Sequence, residues 1–390
     1  MPAWRFGLIG AFSLASIGLA GLETDKLLTI AHGVAQSGLL ASNAQPVSVL
    51  PPLPSVTLSS VSIKPRQTVN QLNEFVREVE QLWVDDSQFS SSSTLVQYSS
   101  DKRTRSLIDL KEGKLIVEHL ASFDAELVMH RVLTNALLTP DDPRHVDLLS
   151  TQVFSGDRRP FLLGQLVDSL GKPIDNLMKA QTFAAWAIVH KMQQVQTPAG
   201  RIQRIELDLD ANHKQVRAAR FARYIETAAQ EFRLDVNLLY AIMETESYFN
   251  PFAVSRTGAL GLMQIMPERA GRDAMKLLTG VERAPTQAEL VDPETNIRLG
   301  AAYLALLSEY YLKEIEHPTS REYAVIAAYN GGASRAIAVF AQDKVQALRS
   351  INAQAPQIVY DALRKKHQSA ETRGYVQKVT EAKKRYSTRV

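Results

Sequence analysis

The chain has 390 residues, of which 45% are hydrophobic and 22% charged, as is ordinary for a folded globular protein. This length predicts two or three domains, each with a core of its own. Cysteine is absent, which excludes disulfide bonds, thiolate catalysis, iron–sulfur clusters and cysteine-based zinc sites. The eight histidines show no paired spacing, and a formal net charge of +3 is too small to indicate nucleic-acid binding. We therefore expect no metal, no cofactor and no nucleic-acid partner.

Residues 1–22 carry one arginine followed by a short apolar run that is rich in small residues. This pattern is typical of a bacterial export signal, and an uncleaved N-terminal anchor is the alternative. Leu19-Ala20-Gly21 resembles the run that precedes the lipid-bearing cysteine of bacterial lipoproteins, but the next residue is Leu22. We expect a periplasmic protein of the cell envelope whose N-terminus could associate with a membrane.

Residues 23–66 form an extended linker, because proline, serine and isolated β-branched residues follow one another there without a period. An accessory domain is predicted at 67–212. It opens with an amphipathic helix at 69–83, continues with two strands of a hairpin at 103–120, and ends with a half-buried strand at 205–209. We expect an α+β domain with an antiparallel sheet.

The remainder, 213–390, is predicted to be mainly helical. Asp235 is placed to cap the start of a helix with the sequence VNLLYAIMETES, and Pro251 is expected to end it. This helix carries two glutamates, one residue apart, close to its end.

The two glutamates are expected to face opposite ways. Leu239, Ile242 and Met243 follow one another at i, i+3 and i+4, and Glu246 lies within roughly 20° of the same apolar stripe. Glu244 is rotated by about 140° from Leu239 and is expected to face solvent.

Burial beside apolar groups and the negative end of the helix dipole both raise the pKa of Glu246. A carboxyl that keeps its proton near neutral pH is what a general acid for cleavage of a glycosidic bond requires. The alternative for a lone glutamate on an apolar stripe is a carboxylate that caps or forms an ion pair within the core.

The segment after the helix, NPFAVSRTGALGLMQIMP at 250–267, carries two hydroxyls, Ser255 and Thr257. Gly258 and Gly261 are expected to let the backbone approach a ligand or the acid. The same segment continues with Met263, an apolar side chain, and Gln264, an amide that can orient a sugar.

Four motifs follow in order: ES-x-F-NP, A-x-S-x-x-G-A-x-G-LMQ-x-MP, DP-x-x-NI-x-x-G at 292–300, and AYNGG. In this order they resemble the lytic transglycosylases that have a goose-type-lysozyme-like catalytic domain. The resemblance extends upstream through RTRSLIDL, DDPRHVDLLS and RRPFLLGQLVDSLGKPI, and downstream through DKVQA and SAETRGYVQKV. The resemblance thus covers roughly 67–390, and over this span the chain is similar to a membrane-bound branch of that family.

The resemblance implies cleavage of the β-1,4 bond between N-acetylmuramic acid and N-acetylglucosamine in peptidoglycan, with a 1,6-anhydromuramoyl end as the product. It makes Glu246 the catalytic acid, which then acts as a base, and it allows association with the outer membrane. It also implies that seven further residues contact the glycan or the acid: Ser255, Thr257, Met263, Gln264, Tyr329, Asn330 and Tyr375. Ser255 is expected near the muramoyl acetamide, and Tyr375 supplies a phenol near Glu246.

The spacing of acidic residues agrees with this chemistry. Ordinary glycosidases need a second carboxylate about 5 Å or about 6.5–9.5 Å from the first. No acidic residue lies between Ser247 and Pro267, and Glu268 is the next one. Two alternatives stay open: a muramidase that brings a second acid from elsewhere, and a peptidoglycan-binding protein without activity.

Overall fold

The structure, a computed structural model, describes residues 65–120, 124–147, 151–152, 154 and 157–387. The expected signal or anchor at 1–22 and nearly all of the linker at 23–66 lie outside these residues. Within the described part, every helix is too short or too polar to span a membrane.

The first part of the chain, which we call the sheet region (65–208), contains three helices and one antiparallel sheet of five strands in the order β1-β2-β3-β5-β4. The helices are α1 (Pro65–Trp83), α2 (Ala125–Leu137) and α3 (Leu177–Lys191). The strands are β1 (Thr94–Tyr98), β2 (Thr104–Asp109), β3 (Lys114–Leu120), β4 (Gln193–Thr197) and β5 (Gly200–Asp208). The predicted α+β architecture, including the hairpin at 103–120, is confirmed.

The sheet buries both of its faces, because successive side chains on a strand point to opposite sides. Leu95 packs in a core with α2 and α3, whereas the next residue, Val96, packs with Trp83 of α1. The same alternation puts Ile108 with the first core and Leu107 with the second. The sheet therefore lies between α1 on one side and the α2–α3 pair on the other.

The second part of the chain, the helical region (213–387), confirms the prediction of a mainly helical C-terminal part. Its helices are α4 (His213–Arg220), α5 (Ala222–Phe232), α6 (Val236–Ser247), α7 (Arg272–Thr279), α8 (Gln287–Val291), α9 (Pro293–Leu306), α10 (Pro318–Gly331), α11 (Ala333–Ile337), α12 (Lys344–Asn352), α13 (Pro356–Lys366) and α14 (Ala370–Ser387). Two π-helical turns, Pro267–Gly271 and Leu307–Tyr311, precede α7 and follow α9.

Helix α6 is the predicted helix with the two glutamates. Asp235 caps it, accepting a hydrogen bond from the Asn237 N–H at 2.8 Å. Leu239, Ile242 and Met243 are fully buried, as the apolar stripe predicts.

The prediction that Glu244 faces solvent is wrong, because only 6% of its surface is exposed. Its carboxylate accepts hydrogen bonds from Lys214 Nζ at 2.8 Å, from Arg385 Nη2 at 2.9 Å and from the Tyr386 hydroxyl at 2.6 Å. The rotational argument assumed one buried face, whereas α4 and α14 enclose the other side of α6 as well. Burial alone would raise the pKa of Glu244, but these partners hold it below its usual value of 4.5.

The end of α6 also differs from the prediction. The helix ends at Ser247, before Pro251, because Tyr248 and Phe249 both adopt left-handed backbone angles, with φ of 52° and 59°. Proline is therefore not what stops this helix.

We expect Glu244→Gln to lower the free energy of unfolding at pH 7 by about 2 kcal/mol. This value lies between those for fully buried and exposed pairs, because Lys214 and Arg385 keep part of their surface in solvent. Since the pKa is depressed on folding, the stabilisation is present above 4.5 and disappears as the pH falls through the folded-state pKa. Urea unfolding at pH 7 and well below pH 4.5 measures both effects.

The control is Glu231→Gln, which breaks an exposed ion pair with Arg298 and should cost less than about 1 kcal/mol. Equal losses in the two variants at pH 7 would contradict a structural role for Glu244.

Candidate active site

Glu246 is the next-to-last residue of α6 and is half-buried. Burial raises the pKa of its carboxyl from 4.5 to about 8; the nearby Tyr375 hydroxyl lowers the pKa, and the charge of Glu371 raises it further. The carboxyl is therefore mostly protonated at neutral pH, which is the state in which it can donate a proton.

Tyr375 lies on α14 and is buried, with 6% of its surface exposed. Its hydroxyl makes no hydrogen bond of regular geometry within the described residues, yet it lies close enough to the Glu246 carboxyl to lower its pKa. Burial, and next the charge of Glu246, raise the pKa of the Tyr375 phenol well above its usual value. The structure thus places Tyr375 beside Glu246.

Tyr329, at the end of α10, is the other phenol near the acid. Burial raises its pKa well above 10, with further contributions from Glu246 and Tyr303. The Tyr329 hydroxyl donates to the carbonyl oxygen of Met263 at 2.9 Å, and its ring lies 5.7 Å from that of Tyr303. Tyr303 belongs to this row of aromatic rings but was not among the predicted site residues.

Met263 takes part in the site through its backbone carbonyl, which binds Tyr329, rather than through its side chain. The side chain is fully buried and packs against Gly300 of α9, where an added Cβ would lie 2.7 Å from the Met263 Cβ. No part of this side chain is exposed to solvent, and the expected place of Met263 in the sugar cleft stays a prediction. The close contact with α9 buries it in the core of the helical region.

The DP-x-x-NI-x-x-G stretch opens α9 and organises the loop after α6. The buried Asn296 accepts a hydrogen bond from the Met263 N–H at 2.8 Å and donates to the carbonyls of Leu260 and Leu290. A Cβ on Gly261 would collide with the Asn296 amide, and Gly261 has a φ of 74°. Gly261 therefore admits Asn296, not a ligand or the acid as expected. Gly258, whose φ is 86°, has no atom near its absent Cβ.

Gln264 also has left-handed backbone angles, with a φ of 48°. Its Nε2 donates to the carbonyls of Gly261 at 2.9 Å and Ala253 at 3.2 Å. The amide nitrogen thus stabilises its own loop, and Oε1 is the atom left to meet a ligand.

Ser255 and Thr257 lie in a tight turn that closes at Gly258. Their hydroxyl oxygens are 3.1 Å apart, and Ser255 Oγ accepts the Ala259 N–H at 2.9 Å. Thr257 is exposed and Ser255 is half-buried. The two hydroxyls therefore form one polar surface on the loop.

Asn330 joins α10 to the start of α14. Its Oδ1 accepts from the Thr372 hydroxyl at 2.7 Å, and its Nδ2 donates to Glu371 at 3.2 Å. Glu371 is exposed, and its charge acts on Glu246, so sequence reasoning missed an acid near the site. The available signal was its i, i+4 spacing from Tyr375 on one helix.

Of the predicted residues, the structure brings together Glu246, Tyr375 and Tyr329, and it ties Met263 to Tyr329. The loop with Ser255, Thr257 and Gln264 is joined to α6 by Ser247, whose Oγ lies 2.7 Å from the Leu262 carbonyl oxygen. Among the described residues, no hydrogen bond joins these three side chains to Glu246. The described part of the chain also holds no group of three or more histidine, aspartate or glutamate residues arranged to bind a metal.

Two family models match this chain. That of the N-terminal domain of membrane-bound lytic murein transglycosylase C covers residues 62–220, and that of the transglycosylase SLT domain covers residues 223–352. The membrane-bound lytic murein transglycosylase C of Photorhabdus laumondii is 39% identical over 317 residues, which are 81% of this chain and 88% of that protein. Its namesake in Shigella sonnei is 38% identical over 320 residues, 82% and 89% of the two chains.

Among solved structures, the 70-kDa soluble lytic transglycosylase of Escherichia coli is 26% identical, with a TM-score of 0.33. The match covers 43% of this chain and 24% of that one.

Glu246→Gln should stabilise the folded protein at neutral pH. The pKa of Glu246 rises from 4.5 to about 8 on folding, so the folded carboxyl stays protonated where the unfolded one is ionised. This mismatch costs on the order of 3 kcal/mol at pH 7. Urea unfolding across the pH range should give similar free energies for both proteins below pH 4.5. The free energy of unfolding of the variant should exceed that of the wild type by an amount that grows from there to about pH 8. A difference independent of pH would contradict the raised pKa of Glu246.

Proposed function

Because this chain belongs to the family of membrane-bound lytic murein transglycosylase C, whose members act on peptidoglycan as lyases, we propose that it forms 1,6-anhydromuramoyl ends. The bond cleaved is the β-1,4 bond between N-acetylmuramic acid and N-acetylglucosamine. The observation that carries this proposal is the carboxyl of Glu246 at the end of α6, whose pKa of about 8 keeps it protonated at neutral pH.

In the first step, Glu246 donates its proton to the glycosidic oxygen while the bond from that oxygen to C1 of the muramoyl residue breaks. The carbonyl oxygen of the 2-acetamido group bonds to C1 from the other face and takes up the developing positive charge. The leaving sugar departs with a 4-hydroxyl group. One protein carboxyl suffices because the substrate supplies the nucleophile.

In the second step, the Glu246 carboxylate accepts the proton of the muramoyl 6-hydroxyl. O6 then bonds to C1, and the bond between C1 and the acetamide oxygen breaks. The acetamide is restored, the anhydro ring is closed, and Glu246 is protonated again for the next cycle. No water and no cofactor enter this sequence.

A proton that leaves and returns in one cycle needs a carboxyl whose two states are close in free energy near the working pH. Burial favours the protonated state of Glu246, and the Tyr375 hydroxyl favours the ionised one. We assign Tyr375 to the stabilisation of the carboxylate between the two steps. Tyr329 and Met263 hold the wall beside the acid through their hydrogen bond.

The remaining predicted residues are proposed to bind the glycan. Ser255 and Thr257 present neighbouring hydroxyls to the muramoyl acetamide, and Oε1 of Gln264 can accept an N–H from the sugar. Asn330 is held by Thr372 and forms the far wall of the cleft. We further propose that 67–212 and 213–390 are the accessory and catalytic domains and that the protein acts in the periplasm.

Glu371 keeps a hydrolytic mechanism as the second candidate. Its charge reaches Glu246, so the site does contain a second acid. Glu371 is exposed and receives a hydrogen bond from Asn330, an arrangement that could activate water. The products separate the two mechanisms, because a hydrolase releases reducing muramic acid and the anhydro product is lighter by one water.

Glu246→Gln should abolish anhydro-product formation from purified sacculi and leave sacculus binding largely intact, since an amide is too weak an acid to protonate the glycosidic oxygen. General acid catalysis contributes about 10²–10⁴-fold, so the residual rate should fall at least that far. Mass analysis of soluble muropeptides measures it. The matched control is Glu268→Gln, an exposed acid paired with Arg272, which should digest sacculi like the wild type. Substantial turnover by Glu246→Gln, or reducing ends from the wild type, would overturn the mechanism.

Tyr375→Phe should slow turnover by about tenfold, as expected when a hydroxyl that favours the charged carboxylate is removed. Glu246 must be protonated to act, so the rate of the wild type should fall as the pH rises through about 8. Tyr375 lowers the pKa of Glu246, so its loss should move this fall to higher pH. The control is Tyr360→Phe, because Tyr360 is a tyrosine that packs on Tyr323. An unchanged pH profile in Tyr375→Phe would leave Tyr375 as a packing residue.

A further inference from the structure

The backbone takes an unfavourable course directly after the proposed acid. Tyr248 and Phe249 are consecutive residues other than glycine with left-handed angles, at φ of 52° and 59°. Such angles are uncommon for residues with a Cβ and persist only where the surroundings hold them. Something must therefore hold the exit of α6, two residues from Glu246.

Arg217 of α4 provides one such restraint. Its Nε donates to the carbonyl oxygen of Tyr248 at 3.2 Å. The other side of the same guanidinium binds the sheet region, with Nη1 donating to Gln165 Oε1 at 2.6 Å and Nη2 to the Leu110 carbonyl at 3.0 Å. One side chain thus joins the end of the acid helix to a different part of the fold.

The segment that follows is held by the sheet region as well. Asn250 Nδ2 donates to the Ser92 carbonyl at 3.2 Å. Phe252 packs in the core of the sheet region and meets Phe161 edge to face, with ring centroids 5.1 Å apart. The exit of α6 is therefore enclosed by residues from outside the helical region.

The burial of the Arg217 side chain is unfavourable for a residue that has only a structural role. It is fully buried, and no carboxylate of the described residues forms an ion pair with it. Burial, and next the charge of Arg220, lower its pKa from 12.5 to about 9. A buried cation without an anion is unfavourable, and an apolar side chain of similar size would pack there without this penalty. Unlike an apolar side chain, the guanidinium binds Tyr248 and the sheet region at the same time.

We propose that Arg217 is a positioning residue for the transglycosylase reaction. By binding the Tyr248 carbonyl and the sheet region together, it fixes the left-handed exit of α6 and hence the place of the Glu246 carboxyl in its pocket. This makes the sheet region part of the catalytic machinery. The inference rests on the proposed role of Glu246 as the acid.

The titration of Glu246 is the readout that separates positioning from simple stabilisation. The groups that face its carboxyl are Tyr375 and Glu371 from α14 and Tyr329 from α10, and Arg217 does not act on its pKa directly. Arg217 has Arg220, His213 and Tyr386 as its own charged or titratable neighbours. A changed pKa of Glu246 after substitution of Arg217 would therefore report that the carboxyl has moved toward water.

The experiment compares Arg217→Met with Arg220→Met in the full chain. Arg220 is a matched control, because its side chain is also buried and donates to the sheet region at the carbonyls of Phe161 and Leu163, but it does not bind Tyr248. Both variants should have a lower Tm. Only Arg217→Met should lower kcat on sacculi, by about 10- to 100-fold with KM little changed, as a displaced catalytic group would. In that variant the pKa of Glu246, followed by NMR of the labelled carboxyl carbon, should fall below that of the wild type.

If kcat and the pKa of Glu246 respond equally in the two variants, Arg217 only stabilises the fold and the inference is wrong. Should Arg217→Met not fold, Arg217→Lys decides by the same two measurements, since its single amino group cannot bind Tyr248 and the sheet region in the same way. The titration needs no turnover, so the inference can fail while the proposed function stands. The proposed function fails separately, if Glu246→Gln still forms the anhydro product.

Discussion

A carboxyl group that keeps its proton at neutral pH has to be shielded from water, and the arrangement of the helical region follows from this requirement. Burial is the largest contribution to the raised pKa of Glu246. It is achieved by placing the acid at the end of a helix enclosed on several sides, with Tyr375 from α14 and Tyr329 from α10 against it. Tyr375 is buried and Tyr329 is half-buried, and the charge of Glu246 helps to raise the pKa of both phenols. The free energy needed to hold an uncharged carboxyl there is supplied by the packing of the helices around it.

The loop after α6 is held by one side-chain amide, that of Asn296. Asn296 uses both ends of its side chain to bind three backbone groups of the surrounding segments. It reaches them only because Gly261 has no Cβ, and Met263 is buried only because Gly300 has none. Two motifs that are separate in sequence, LMQ and DP-x-x-NI-x-x-G, are thus two halves of one contact. Ser255, Thr257 and Gln264, which are proposed to bind the glycan, are carried on a loop that hydrogen bonds of its own hold in place.

Much of this could be predicted from local patterns. The hairpin at 103–120, the cap at Asp235 and the apolar stripe of α6 depend on neighbouring residues and were predicted correctly. The burial of Glu244 was not, because its surroundings come from α4 and α14, which no local period reveals, and the packing of Met263 against α9 carried no local signal either. Arg217 carried no signal at all, since a lone arginine in a polar helix looks like a surface residue until its partners are known. The roles of the glycan-binding residues stay predictions for the same reason.

The ion pairs of Glu244 have a consequence for how activity arises. They join α6 to Lys214 at the start of the helical region and to Arg385 in its last helix. The contact with Arg385 joins residues 141 positions apart in sequence, so it can form only when α14 is part of the fold. The pocket around Glu246 is therefore completed only when α14 docks, since Tyr375 also lies on that helix. A chain cut short before α14 would lack both Tyr375 and the partners that Arg385 and Tyr386 provide for Glu244, so the pocket around Glu246 would stay open.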